Sequence, residues 1–371
     1  MQGIIPPHLL EKLATHPNPA VAMPALRSIA PSTQQRTQRA MAQPSRRPPN
    51  ASAVSTPLYR RIYSALGFAQ LPGVLRRSEG EPPAPDTTIN AAYDGSGVVW
   101  DFWRELNRNS FDGRGGILVT TCHYLSGYDN AMWNGSEIVG GDGDGVIFNP
   151  FFSVPDIIWH EWGHAVTQYT SNLYYDGESG GLNESFSDCH GITVLQWQNK
   201  QTPEEADWIV GKGIFAAGIN GAGLRSMKSP GTAYDDPQLG RDPQVASYAD
   251  YFPGMEVHMS SGIPNKAFCH ACLADGSKSW EKMLPVWYEA NRRASGHCTF
   301  KQWAKLTVDI AVEMGWPQTA GHIAAAWAEV GVSVSAPLFP EPAPEPEAKP
   351  LSMSLAGFGA ADGKYKLTKE S

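Results

Sequence analysis

One short stretch narrows the possibilities more than any other: His160-Glu161-Trp162-Gly163-His164. Apolar residues across Asp156–Thr170 recur at helical spacing, so His160 and His164 fall one turn apart and point the same way. Two imidazoles placed like this can share one metal ion, and Glu161 can reach a water on it. A five-residue pattern also arises by chance, as two histidines on a helix surface. A second stretch, Gly180-Gly181-Leu182-Asn183-Glu184-Ser185-Phe186-Ser187-Asp188, supplies what the first lacks. Glu184 and Asp188 are four apart and share a helix face, as a third ligand and its hydrogen-bonding neighbour would. The chain between His164 and Glu184 is long enough for one helix to end, turn, and a second to return. Alone, Glu184 reads as an exposed helix acid; with the two histidines it points to a catalytic zinc site.

The rest of the chain frames that site. The 371 residues are 42% hydrophobic and 18% charged, which suits a folded protein of two units with appendages. No apolar run approaches the length of a membrane span, and the Met1–Pro7 start has no cationic region of a secretory signal. The net charge of −8 is uneven: residues 1–78 carry ten Lys/Arg and one acid, the remainder nineteen and thirty-six. A basic head on an acidic body admits two readings, an arm for anionic partners or a segment docking on its own body. The acidic body argues against nucleic acid as the main partner. Five cysteines are too few for a disulfide scaffold. Cys269-His270-Ala271-Cys272 would need a second pair to hold zinc, and only His297-Cys298 is nearby; buried helix cysteines are the plainer reading.

Residues 1–56 are rich in Pro, Arg, Gln and Ser, with one weak helix expected near Leu9–Ala14 and an exposed linker over Gln34–Pro49. Gly97–Trp100, Gly116–Tyr124 and Val146–Phe148 read as β-type runs, and Gly140–Gly145 as a tight turn whose likeness to a calcium loop fails at Ser153. Helices are expected over Asp156–Thr170, Glu184–Gln198, Ala206–Ala216, Pro264–Leu273, Trp280–Ala294, Thr299–Met314 and Thr319–Val330, with Gly331 as a C-terminal cap. The Pro-rich acidic stretch Pro340–Pro350 reads as extended.

The segment His160–Asp188 resembles the active site of the thermolysin family of zinc metallopeptidases. Similar matches occur at Tyr128-Asp129-Asn130-Ala131-Met132-Trp133-Asn134-Gly135, Leu224-Arg225-Ser226-Met227, Pro230–Asp235 and Val257-His258-Met259-Ser260-Ser261-Gly262-Ile263-Pro264-Asn265. The head, Ile4-Ile5-Pro6-Pro7-His8-Leu9-Leu10, resembles the short pro-segment of protealysin-type precursors and favours self-docking. The resemblance implies an α+β fold of two lobes, β-rich and then α-helical, with zinc in the cleft between. It implies a basic pro-segment over 1–52, lobes over 53–178 and 179–334, and a Pro-rich linker and tail over 335–371. It implies zinc on His160, His164 and Glu184, Glu161 as general base, and Tyr175 and His258 on the oxyanion. Asp188 and Asn183 would orient the histidines, Arg225 would hold the substrate backbone near P1′, and Asn130 and Ala131 would pair with the peptide. The implied activity is a self-processing endopeptidase preferring an apolar P1′ residue, lodged through Phe148, Ile157 and Leu224. The expected partners are peptides and the chain's own pro-segment, with no nucleic acid or membrane; a secreted monomer is expected. A zinc exopeptidase or an inactive binding protein of the same fold are the rival readings.

The sequence departs from that family in three places. Pro253 stands where an Asp usually orients the histidine, leaving Glu256 and Asp250 as candidates. Of the acids of the family's double calcium site, Asp156 is present, but Leu195 and Lys212 fall on others, so calcium binding there is expected to be weak or absent. Trp159, Trp162 and Gly163 are unusual on the zinc helix, and a helix-interior glycine costs about 1 kcal/mol relative to alanine. No cysteine precedes Cys122, so a pro-segment thiol cannot cap the metal. Silencing is expected instead from the Ile5–Leu10 motif lying across the cleft, relieved by cleavage within Gln34–Ser55.

Overall fold

The computed structural model describes residues 3–41 and 57–334. A five-stranded sheet is built from β1 (Arg60–Ser64), β2 (Val74–Ser78), β3 (Leu118–Cys122), β4 (Ala131–Trp133) and β5 (Ile138–Gly140), in the order β2-β1-β3-β5-β4, with β4 and β5 buried at every position. β1, β3 and β5 run parallel, and β2 and β4 run antiparallel at the margins. β4 is therefore an edge, with backbone groups available to another chain segment.

Helix α3 (Thr87–Glu105) lies on this sheet, capped by Asp86, whose carboxylate accepts from Thr88 N at 2.9 Å. It contains Gly97–Trp100, so the β reading of that run is wrong. The glycines of this helix serve close packing. A Cβ on Gly95 would lie 2.9 Å from Ile158 Cδ1, and one on Gly97 would lie 2.4 Å from Arg60 Nη1. Val146–Phe148 also forms no strand; only Phe148 makes a bridge, to Phe215. Gly140–Gly145 does turn tightly, with Asp144 accepting from three following backbone amides.

Helices α4 (Pro155–Gln168) and α5 (Gly177–Asn199) cross at the centre of the molecule. α5 begins seven residues before the expected start at Glu184, because Gly177–Gly181 is helical despite its composition. The helix expected over Ala206–Ala216 is absent. Trp208, Gly211 and Gly213 have positive φ, and Ile209–Val210 pairs antiparallel with Arg225–Ser226. Beyond lie α6 (Val257–Ser260), a single turn that was not expected, and α7 (Gly262–Asp275), α8 (Met283–Arg293), α9 (Phe300–Glu313) and α10 (Pro317–Glu329), close to expectation. Gly331, at φ +84°, ends α10 as expected. Cys269 and Cys272 are buried in α7, and all five cysteines are free.

The N-terminal residues are part of this core. α1 (Pro7–Ala14) buries Leu9, Leu10 and Leu13, while Ile4 and Ile5 before it are fully buried. α2 (Pro19–Met41) continues through the first half of the expected linker, whose remainder, 42–49, lies outside the described residues. The expectation for 340–350 also falls outside them.

Candidate metal centre

Two glycines decide how closely α4 and α5 approach. A Cβ on Gly163 would fall 2.9 Å from Ser187 Cα, and one on Gly191 would fall 2.9 Å from Asp156 O. With only hydrogens there, the helices close until His160 and His164 on α4 face Glu184 on α5. This contact explains the costly glycine at position 163. Trp159 is held by a bond from Nε1 to Gly95 O (2.9 Å), and Trp162 packs among Trp103, Phe111 and Trp133 behind the site.

All three side chains are fully buried. Their nearest ligand atoms lie within 4.8 Å of one another, and no other such group of three occurs among the described residues. Glu184 Oε2 is 3.5 Å from His160 Nε2, and Oε1 is 3.3 Å from His164 Nε2. The other ring nitrogens are already committed. Asn183 Oδ1 accepts from His164 Nδ1 at 2.8 Å, its amide fixed by donating Nδ2 to Leu173 O (3.0 Å). Asp188 Oδ1 lies 2.8 Å from His160 Nδ1. Each Nδ1 therefore carries the hydrogen, and each Nε2 turns a lone pair inward. Burial lowers the His160 pKa to about 4 against the pull of Asp188, so the ring is neutral at pH 7. Burial would raise Glu184, but the positive charge of His258 holds it well below the carboxylate range. Two imidazole lone pairs and a carboxylate converging in a dry space repel one another unless a cation lies among them. The donor set, two nitrogens and one oxygen, fits zinc with a position left open.

Around this centre stand the remaining expected residues. Glu161 is fully buried, and its Oε2 accepts from Trp133 N at 2.7 Å. That tie to edge strand β4 was not foreseen; Trp133's place just after the Asn130-Ala131 pair was the available signal. Tyr175 donates its hydroxyl to Glu184 Oε1, and the Tyr175 hydroxyl oxygen is 3.4 Å from His258 Nε2. Arg225 grips Asp188 with two bonds of 2.8 Å, from Nε and Nη2. Its place on the short strand Arg225–Ser226, paired with Ile209–Val210, sets this geometry.

His258 lacks the partner its loop would be expected to hold, and Glu256 stands against the ring instead. Glu256 Oε1 is 2.7 Å from His258 Nδ1, while Oε2 accepts from the His258 backbone N at 3.0 Å. Asp250, the other candidate, sits in an exposed turn and makes no such contact. The Nε2 of His258 lies 3.0 Å from Gly3 O. A carboxylate at Nδ1 and a carbonyl at Nε2 both accept, an arrangement that favours the doubly protonated ring. Burial opposes that charge, and Glu184 and Glu256 overcome it, raising the pKa.

Gly3 belongs to the N-terminal segment, and the contact continues along β4. Ile4 N donates to Ala131 O (3.1 Å), and Arg225 Nη1 donates to Ile4 O (3.0 Å). Ile5 N donates to Asn130 Oδ1 (2.9 Å), and Asn130 Nδ2 returns a bond to Ile5 O (3.4 Å). The residues expected to hold a peptide thus hold the chain's own residues 3–5. Of the expected calcium acids, Asp156 is buried and accepts from Gly211 N at 2.6 Å, while Lys212 pairs with Asp207.

Comparison with known proteins agrees with this geometry. Residues 78–168 match the family described as thermolysin metallopeptidase, catalytic domain, and residues 171–332 match its alpha-helical domain. An extracellular metalloprotease of Pectobacterium carotovorum subsp. carotovorum is 39% identical over 340 residues, covering 90% of this chain and 96% of that one. Protease PrtS of Photorhabdus sp. (strain Az29) is 41% identical over 290 residues, 76% of this chain and 78% of that one. The solved precursor of protealysin, a metalloproteinase from Serratia proteamaculans, superposes with a TM-score of 0.81 at 39% identity, covering 90% of this chain and all of that one. With a His-His-Glu zinc group at the crossing of its two central helices, the chain belongs to the thermolysin family of zinc metalloendopeptidases.

Proposed function

We propose that this chain is a secreted endopeptidase made as a zymogen, and that its residues 3–13 hold it silent by lying in the cleft as a peptide would. The observation that carries this reading is the register of Gly3–Ile5. Their backbone groups meet His258, Ala131, Arg225 and Asn130 in turn. The apolar side chains of Ile4, Ile5, Leu9, Leu10 and Leu13 are all fully buried. By this register Ile4 stands where the residue after the cut bond of a substrate would stand. Its full burial, in the same apolar core as Phe148, Ile157 and Leu224, supports an apolar P1′ preference.

When zinc is held by His160, His164 and Glu184, it supplies a water acidic enough to ionise near pH 7 and draws charge from the scissile carbonyl. Glu161 takes the proton of the attacking water and delivers it to the leaving amine. Trp133 N fixes one oxygen of that carboxylate, which sets where the other points. The oxygen that gains negative charge is met by the Tyr175 hydroxyl and the His258 imidazolium; removing one such donor costs roughly 10²–10³ in rate. Asp188 and Asn183 keep the two imidazoles in the ligating tautomer. Extracellular action is supported by the name of the Pectobacterium relative. No helix among the described residues is long and apolar enough to cross a membrane.

Intact mass after purification tests the zymogen reading. Wild type is expected to lose its first fifty or so residues on standing, while Glu161→Gln stays full length. Full-length mass for both, with no turnover, would favour an inactive binding protein.

A further inference from the structure

The loop before His258 has been rebuilt rather than merely altered. Phe252, Pro253 and Gly254 are exposed, and Gly254 at φ +86° reverses the chain. Met255 then plunges into the core at 3% exposure, so the next side chain, Glu256, swings back under the ring of His258. No oxygen at position 253 is available for that ring, and Asp250 does not reach it. The two carboxylate oxygens of Glu256 serve different donors on one residue, Nδ1 of the ring and the backbone N of His258. The backbone carbonyl of His258 is pinned separately, by Gln244 Nε2 at 3.1 Å. The main chain and the far side of the ring are therefore both fixed, leaving Nε2 one direction, into the cleft.

We propose that Glu256 is the positioning residue for His258, a carboxylate two residues before the histidine doing what the loop no longer does from position 253. The proposal rests on the reading that His258 donates to the oxygen that gains charge. Glutamine at 256 has one acceptor oxygen for two donors, so either the ring or the backbone amide loses its partner. The ring then turns while the substrate's own binding contacts, on Asn130, Ala131 and Arg225, stay in place. The effect belongs to kcat.

The test is a double-mutant cycle of Glu256→Gln and His258→Ala on a blocked peptide, with Asp250→Asn as control. Every chain is cut with trypsin, which meets Arg46-Arg47 in all of them. Glu256→Gln is expected to lower kcat roughly 10–100-fold with KM within about twofold, as removal of orienting partners does elsewhere. Asp250→Asn is expected to match wild type. In the His258→Ala background, Glu256→Gln is expected to cost less than about twofold more, because its action passes through the missing ring. Wild-type kcat in Glu256→Gln, beside a slow His258→Ala, would overturn the proposal. So would an undiminished loss in the His258→Ala background, which would mark Glu256 as a general support of the loop. Wild-type turnover in His258→Ala would instead overturn the reading of His258 and carry the proposal with it.

Discussion

Replacing Ile4 by alanine separates the side-chain hold of the N-terminal segment from its backbone hold. The Ile4 amide and carbonyl bond to Ala131 O and Arg225 Nη1, and alanine keeps both groups. What is lost is a fully buried side chain, three carbons larger than the alanine methyl. At about 0.8 kcal/mol per buried methylene, the loss is about 2.4 kcal/mol, and core Ile→Ala changes reach about 2–5 kcal/mol where a cavity persists. Every 1.4 kcal/mol is a factor of ten, so binding should weaken by a factor of roughly 50 or more. A synthetic peptide of residues 1–41 added to the activated enzyme reads this directly as an inhibition constant, free of any effect on folding of the body. The Ile4→Ala peptide should show that constant raised by a factor of roughly 50 or more. A change within about threefold would mean that the pocket does not hold Ile4, and the register argued above would be wrong.

Two other outcomes follow from buried groups. Asp129 is fully buried, no side chain among the described residues donates to it, and burial with the nearby Asp144 raises its pKa to about 8. A carboxyl raised on folding binds its proton in the folded state and releases it on unfolding, so stability falls as pH climbs from about 4 to 8, by up to about 1.4 kcal/mol per unit. Asp129→Asn should remove that slope: its melting temperature should match wild type near pH 4 and exceed it increasingly towards pH 8, whereas a pH-independent difference would refute the assignment. Gly163→Ala gains about 1 kcal/mol of helix propensity but drives a methyl into the Ser187 backbone, an overpacking cost of about 1–3 kcal/mol. Zinc retention on dialysis against chelator should fall; a higher melting temperature with unchanged zinc retention would mean the helices are not held at that distance by Gly163.

The parts of the site that could be read in advance are those carried by spacing within one helix. His160, His164, Glu184 and Asp188 each fall on a face that helical geometry alone dictates, and the structure brings them together as the spacing implies. The parts that could not be read depend on what one element meets on another. Gly97–Trp100 read as a β-type run because the use of Gly95 and Gly97, close approach inside a helix, shows only once their neighbours are in place. Ala206–Ala216 has helical composition, but the pairing of Ile209–Val210 with Arg225–Ser226 outweighs it. The partner of His258 stayed open between Glu256 and Asp250 for the same reason. The turn at Gly254 decides which carboxylate faces the ring, and a turn's direction is not written in residue types.

The central claim is that three side chains hold one zinc and that Glu161 moves the proton. Metal content by mass spectrometry, taken beside turnover of a blocked peptide for trypsin-cut wild type, Glu161→Gln and His164→Ala, tests both halves. The account predicts one zinc per chain in wild type and in Glu161→Gln, zinc lost from His164→Ala, and Glu161→Gln slower than wild type by a factor of roughly 10² or more. Turnover by Glu161→Gln close to that of wild type, or full zinc content in His164→Ala, would contradict it.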